Sequence, residues 1–276
     1  MTRIHNENYN HLEPKEIADG VYWIGFSEKD SKLFCNPYII VDGDEAVLID
    51  SGSRDSFSTV MLKILRIGIN PKQIKRLIYH HYDPDLCGSL PHFEAIIDSP
   101  DLRIISQQSN ILFLNHYSSQ TPKDCFMDLD FEYTFGDGRT LKFIHTPYSH
   151  SPGSFITYDI KTKTLFSSDL LGGFDNEWRL FNPLKDSCHN CSPQQLCPKN
   201  SSSCRLYGIR RFNQIAMSSA KALRYALDKV LELDTKLIAP QHGSIIDSEK
   251  DKHTIINYLK SIDNIGFDYF LKGEAK

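Results

Sequence analysis

His81-Tyr82-Asp83-Pro84-Asp85 sets one imidazole and two carboxylates on alternate positions, directly after the apolar run Ile74-Lys75-Arg76-Leu77-Ile78-Tyr79-His80. The run reads as a strand. Alternate side chains of an extended segment point the same way, so positions 81, 83 and 85 are expected to converge on one cleft. Imidazole and carboxylate without thiolate form a donor set that suits iron or manganese at least as well as zinc. Gly88 is expected to let the chain turn into a helix.

Working outward, three more candidate ligands close apolar runs. His150 comes after Phe143-Ile144-His145-Thr146-Pro147, Asp169 after Thr164-Leu165-Phe166-Ser167-Ser168, and His242 after Lys236-Leu237-Ile238-Ala239-Pro240. Strand ends are where layered α/β proteins build their sites. A lone His or Asp there is more often a hydrogen-bonded structural residue than a ligand, so the weight rests on the six together. One catalytic zinc takes three protein ligands. Three imidazoles and three carboxylates suit two metals that share a carboxylate.

In order and spacing these blocks resemble the metallo-β-lactamase superfamily, and within it the diiron domain of flavodiiron proteins, over nearly the whole chain. Hydrolases of that superfamily carry His-x-His-x-Asp-His and flavodiiron domains His-x-Glu-x-Asp; Asp83 in the second ligand position sides with the carboxylate version. Asp83-Pro84-Asp85 followed by Gly88-Ser89-Leu90-Pro91 carries the likeness, as do Thr146-Pro147 ahead of His150, Leu165-Phe166-Ser167-Ser168-Asp169 and Ala239-Pro240-Gln241-His242-Gly243. The resemblance implies an α+β protein with an αββα sandwich and two iron ions. It implies that His81, Asp83 and His150 hold one iron, Asp85 and His242 the other, and that Asp169 bridges them. Asp50, in Val47-Leu48-Ile49-Asp50-Ser51-Gly52, is implied to support the site by hydrogen bonding rather than by binding metal. His80, His92, His116 and His145 match no family position and are expected on the surface or in support of the site.

Two departures stand out. Asp83 is one methylene shorter than the usual Glu, and Leu86 replaces a common His, which is expected to leave the second iron undercoordinated with room for water or a diatomic gas. Flavodiiron proteins typically continue into a flavodoxin-like domain, whereas this sequence stops at Lys276, so no flavin is expected on this chain. A diferrous pair holds two of the four electrons that take dioxygen to water, and the flavin normally furnishes the rest. The resemblance therefore implies a stable diferric-peroxo adduct and an oxygen sensor for a chemotaxis-type kinase, assembled as a homodimer. The alternatives are an oxygen or nitric oxide reductase fed by a separate rubredoxin or flavoprotein, and a dizinc hydrolase working through metal-bound hydroxide.

A second cluster, Cys188-His189-Asn190-Cys191 with Cys197 and Cys204, falls in a Pro, Ser and Asn-rich insertion at about 175–212. Its first pair has the spacing of a metal knuckle, so the four are a candidate site for structural zinc, or less readily an iron–sulfur centre. The bland alternative is a loop of reduced thiols. Cys35, Cys87 and Cys125 read as small buried hydrophobes, with Cys87 close enough to the ligand strand to touch its surroundings. Tyr82, Tyr148 and Phe174 flank ligands and read as packing before gas pocket.

Composition agrees with one layered core spanning 1–276: the chain has 276 residues, 40% hydrophobic and 24% charged. No apolar run approaches the roughly 20 residues of a membrane span, and Met1-Thr2-Arg3-Ile4-His5 does not open a secretory signal, so a cytoplasmic location without membrane contact is expected. A net charge of −4 with interspersed signs argues against nucleic acid as a partner. Asp42-Gly43 signals a hairpin between Pro37–Val41 and Glu45–Ile49, and a second hairpin is expected between Phe155–Tyr158 and Thr164–Phe166. Helices are expected from Ser56 to Arg66, Ser89 to Ile97 and Ser219 to Leu231.

Overall fold

The computed structural model describes residues 11–27, 33–117, 120–174, 179–192 and 204–271. Strands β1 (Lys15–Ala18) and β2 (Val21–Trp23) come first, followed by a two-stranded ribbon of β3 (Phe26–Ser27) and β4 (Phe34–Cys35). Then β5 (Tyr38–Asp42), β6 (Glu45–Ile49), β7 (Ile74–Ile78), β8 (Arg103–Ser106) and β9 (Lys123–Cys125) complete a seven-stranded sheet in the order β1-β2-β5-β6-β7-β8-β9. A five-stranded sheet takes β10 (Glu132–Thr134), β11 (Thr140–His145), β12 (Phe155–Asp159), β13 (Thr164–Ser168) and β14 (Leu237–Pro240) in sequence order.

Both expected hairpins form. Asp42 pairs with Glu45 across a turn whose Gly43 has φ 57°, and Thr157 pairs with Phe166 between β12 and β13. The apolar strands need partners on both faces, and their period of two supplies them. Tyr38, Ile40, Val47 and Ile49 face Phe143, Phe155 and Phe166 between the sheets. Their neighbours Ile39, Ala46 and Leu48 turn to the opposite face, against helices α1 (Phe57–Ile67) and α3 (Leu90–Ile97) through Val60, Ile64 and Phe93.

On the far side, Ile156, Leu165 and Ile238 of the second sheet pack on α5 (Arg205–Ala216), α6 (Ala220–Leu231) and α7 (Glu249–Lys260). The layers are thus helix, sheet, sheet, helix, as the resemblance implied. The shorter helices are α2 (Pro84–Cys87), α4 (Gln108–Leu114) and α8 (Phe267–Leu271). Among the described residues no helix is long and apolar enough to cross a membrane.

Three local expectations are corrected. β7 ends at Ile78, and Pro84 opens α2 with Asp83 as its extended N-cap. His81, Asp83 and Asp85 therefore converge through a loop that winds into a helical turn, because proline at the first helical position favours that start. Gly88 has ordinary helical φ; a Cβ there would lie 2.4 Å from the Pro84 carbonyl and 3.0 Å from the Arg54 amide, so its requirement is space. The Cys-rich stretch is not loop throughout, since α5 begins directly after Cys204 and buries Leu206, Ile209 and Phe212.

Candidate metal centre

All six sequence-derived ligands meet at the strand ends between the two sheets. Each histidine has Nδ1 within hydrogen-bond reach of a backbone carbonyl or a hydroxyl, and His150 Nδ1 also lies 3.6 Å from Asp169 Oδ2. His150 Nδ1 donates to the Ala216 carbonyl at 2.9 Å, His242 Nδ1 donates to the Phe34 carbonyl at 3.0 Å, and His81 Nδ1 shares a 3.2 Å hydrogen bond with the Ser168 hydroxyl. A second hydrogen bond of this kind fixes tautomer and ring orientation in metal-ligating histidines.

The carboxylates face the free nitrogens. His150 Nε2 lies 2.9 Å from Asp83, and His81 Nε2 lies 3.8 Å from Asp83 and 3.9 Å from Asp169 Oδ2. His242 Nε2 lies 3.1 Å from Asp85 and 3.5 Å from Asp169 Oδ1. Asp169 therefore offers one oxygen to each half, the disposition of a bridging carboxylate. His81, His150 and Asp169 form one metal-sized donor group; Cys35, Asp85 and His242 form another.

Whether metals fit is decided by buried polar atoms that nothing among the described residues satisfies. His81 Nε2 and Asp169 Oδ1 are buried without a hydrogen-bond partner. Orphaned buried polar atoms are rare and costly, and two of them facing one donor cluster are what bound cations would satisfy. The titration behaviour agrees. Burial disfavours charge on His150, yet Asp169 and Asp83 outweigh it and lift its pKa to about 9. Burial opposes charge on His242 as well, but Asp85, Cys35 and Asp169 hold it well above its ordinary value. Burial alone would raise Asp83 and Asp85, but their histidine partners pull both below the usual carboxylate range. His81, whose burial is its largest influence, is held low and neutral. Without metal, protons on two histidines neutralise the carboxylates.

The backbone is strained around these ligands. Asp50, Tyr148, Ser168 and Leu171 all have positive φ, between 52° and 67°, an uncommon state for residues with a Cβ. Gly243, beside His242, has φ 83°, and a Cβ there would come 2.9 Å from the Gly173 amide. Asp50 is buried beside the segment that leads into His81. Its carboxylate accepts from the His80 amide at 3.3 Å and meets His80 Nδ1 at 3.0 Å, while His80 Nε2 lies 2.9 Å from the Thr157 hydroxyl. His80 is fully buried and thus holds the loop leading into His81. His116 is exposed, His92 stacks on Phe57, and His145 lies half-buried against Phe126.

Leu86 is fully buried, its carbonyl accepting from the Ser51 and Gly52 amides, so its position serves the scaffold and supplies no donor. Tyr82 packs on Phe113, Tyr148 is largely exposed, and Phe174 packs on Phe212, whose ring lies 5.2 Å from that of His242. Cys35, Cys87 and Cys125 are buried, and Cys87 Sγ donates to the Tyr82 and Asp83 carbonyls at 3.1 Å. Sequence reasoning missed Cys35 and Phe212 as neighbours of His242; neither carries a local signal. Cys188, Cys191 and Cys204 are half-buried against the helical layer of the second sheet, without forming a metal-spaced group among the described residues. Cys197 lies outside the described residues.

Comparison with known proteins identifies the family. The chain belongs to the family described as ODP family beta lactamase, whose sequence model matches residues 33–243. It is similar to the chemotaxis sensor ODP from T. denticola in its apo state, with 25% identity, TM-score 0.69, and coverage of 92% of this chain and 99% of that one. A structure described as a peroxy diiron species of chemotaxis sensor ODP aligns at TM-score 0.72 and 24% identity, covering 94% and 96% of the two chains. Flavo-diiron protein FprA2 from Clostridium acetobutylicum is 25% identical over 252 residues, 85% of this chain and 57% of that protein. Across the first curated relatives this chain spans between 35% and 57% of their length. Relatives and structures alike place the fold in the metallo-β-lactamase class, in its flavodiiron and ODP branch.

Proposed function

We propose that this chain is a non-heme diiron protein that binds dioxygen and acts as an oxygen sensor. The observation that carries the reading is the division of Asp169 between two histidine groups, with His81 Nε2 and Asp169 Oδ1 buried and unsatisfied. Its support is membership of the ODP family and similarity to a diiron chemotaxis sensor. In this reading His81, Asp83 and His150 hold one iron, Asp85 and His242 the other, and Asp169 bridges. Bound iron supplies electrons and open coordination positions for a diatomic gas. The protein's own part is to fix Nε2 of each histidine through the Ala216 carbonyl, the Phe34 carbonyl and the Ser168 hydroxyl, and to give up the protons on His150 and His242 as metal enters.

The sensor reading includes a cytoplasmic homodimer and a chemotaxis-type kinase as its signalling partner. A second reading, an oxygen or nitric oxide reductase supplied by an external rubredoxin or flavoprotein, draws support from the flavo-diiron relatives. The dizinc hydrolase reading is weaker, because Asp83 and Leu86 stand where that class places histidines. Metal analysis of protein purified from iron-rich anaerobic cells tests these assignments. About two irons per chain, with a visible band on exposure of the reduced protein to oxygen, is the expected result; zinc alone with no spectral response would overturn it. The same analysis on Cys188→Ser and Cys191→Ser tests the candidate zinc at Cys188, Cys191, Cys197 and Cys204, which predicts loss of one zinc per chain.

A further inference from the structure

We infer that Cys35 is a sulfur donor to the metal held by Asp85 and His242. The inference rests on the metal-centre reading above and revises the expectation that the loss of a histidine at Leu86 leaves that half undercoordinated. Cys35 is fully buried, and its Sγ, a carboxylate oxygen of Asp85 and a ring nitrogen of His242 all lie within 4.8 Å of one another. Sγ is 4.0 Å from His242 Nδ1. Asp169 Oδ1, buried without a hydrogen-bond partner among the described residues, lies 3.5 Å from the other ring nitrogen of His242, Nε2, a second sign that this space takes a cation.

The thiol's position is fixed. Cys35 and His242 form an isolated antiparallel bridge, so two positions far apart in sequence lie side by side. Next to Cys35, the Asn36 amide donates to the Gln241 carbonyl at 2.8 Å, and Asn36 Nδ2 donates to the Pro240 and Gly243 carbonyls at 3.0 and 2.8 Å. Trp23 Nε1 in turn donates to Asn36 Oδ1 at 2.9 Å. This lattice clamps the end of β4 onto the His242 loop on both sides of the ligand. On metal binding the S–H bond breaks, a sulfur–metal bond forms, and the proton leaves to solvent. The two halves then differ in softness: oxygen and nitrogen donors in one, an added sulfur in the other, which shifts the second half toward softer ions.

Cobalt(II) added anaerobically to the metal-free full chain tests this, with a variant carrying Cys188→Ser, Cys191→Ser, Cys197→Ser and Cys204→Ser to silence the other cluster. The expected result is a near-ultraviolet thiolate-to-cobalt charge-transfer band in that variant, lost on adding Cys35→Ala while two cobalts still bind. A band that survives Cys35→Ala overturns the inference. Two bound cobalts with no such band before that change also overturn it, yet leave the metal-centre reading standing. Failure to bind cobalt at all sinks both. Should Cys35→Ala not fold, zinc X-ray absorption on the silenced variant decides the matter: a zinc–sulfur distance of about 2.3 Å supports the assignment, and nitrogen and oxygen neighbours alone overturn it.

Discussion

At the scale of single residues, Asp169 is the part of the site with no substitute, since its two oxygens serve both halves. Asp169→Asn is expected to lower metal content from two per chain to one or fewer, read by metal analysis; retention of two would contradict the bridging role. Even residues that only orient ligands change metal affinity by about 10–100-fold, so a ligand should exceed that. His150 sets a pH dependence whose sign follows from its neighbours. With its pKa lifted to about 9, it is protonated in the metal-free protein at neutral pH and must lose that proton to bind. The share of His150 in apparent metal affinity should therefore rise by about tenfold per pH unit below 9 and level off above it. His242 adds in the same direction. Competition titrations against a chelator of known pH behaviour would show this, and a flat profile would refute it. The six candidate ligands were legible from sequence because His150, Asp169 and His242 each close an apolar run and His81, Asp83 and Asp85 alternate directly after another. Cys35 was not, because only the bridge to His242, two hundred positions downstream, gives it a neighbour.

At the scale of elements, α1 carries a second titrating group away from the metals. Lys63 is buried with its ammonium 3.9 Å over the Trp23 ring, donating to the His11 carbonyl at 2.7 Å and to the Gly25 carbonyl. Burial, aided by Arg66 and only partly opposed by Glu13, lowers its pKa from 10.5 to about 7. A lysine whose folded pKa is depressed binds fewer protons in the folded than in the unfolded chain, so stability should increase with pH across the window from about 7 to 10.5. Urea midpoints of the metal-free protein across that range test it, with Lys63→Met expected to flatten the slope. Another element-scale contact joins the turn before β11 to β12, where buried Arg139 Nε donates to Asp159 Oδ1 at 3.0 Å and a second guanidinium nitrogen meets Oδ2. Arg139→Met leaves a buried carboxylate without its partner and should cost about 3–5 kcal/mol in denaturant unfolding; a loss below 1 kcal/mol would show the pair to be dispensable. The strands and main helices were readable from their periods, whereas α2 was not. Asp83-Pro84-Asp85 looks like a strand continuation by alternation, and only proline's fitness for a helix start turns it the other way. Nor was α5 legible, because two arginines, a glycine and an asparagine interrupt the apolar positions that pack inward.

At the scale of the whole molecule, the four layers place all six candidate His and Asp ligands at one rim, between sheets whose inner faces are aromatic and apolar. Ligands arrive from the loop after β7, the turn after β11, the end of β13 and the end of β14, so the site exists only once both sheets are stacked. Metal binding to the folded chain alone should therefore stabilise it globally, by an amount that grows with free metal concentration. Chelator-treated protein is expected to melt at a lower temperature than the metal-loaded form, measured by calorimetry. The overall architecture was readable early because the ligand blocks keep the family's order. The function rests on what the assembled site does with oxygen, and the most direct measurement is oxygen consumed per chain by the fully reduced, iron-loaded protein, with and without added reductant. A sensor takes up about one dioxygen per two irons and then stops in both conditions. Continued consumption sustained by the reductant would contradict that account and make the chain a reductase.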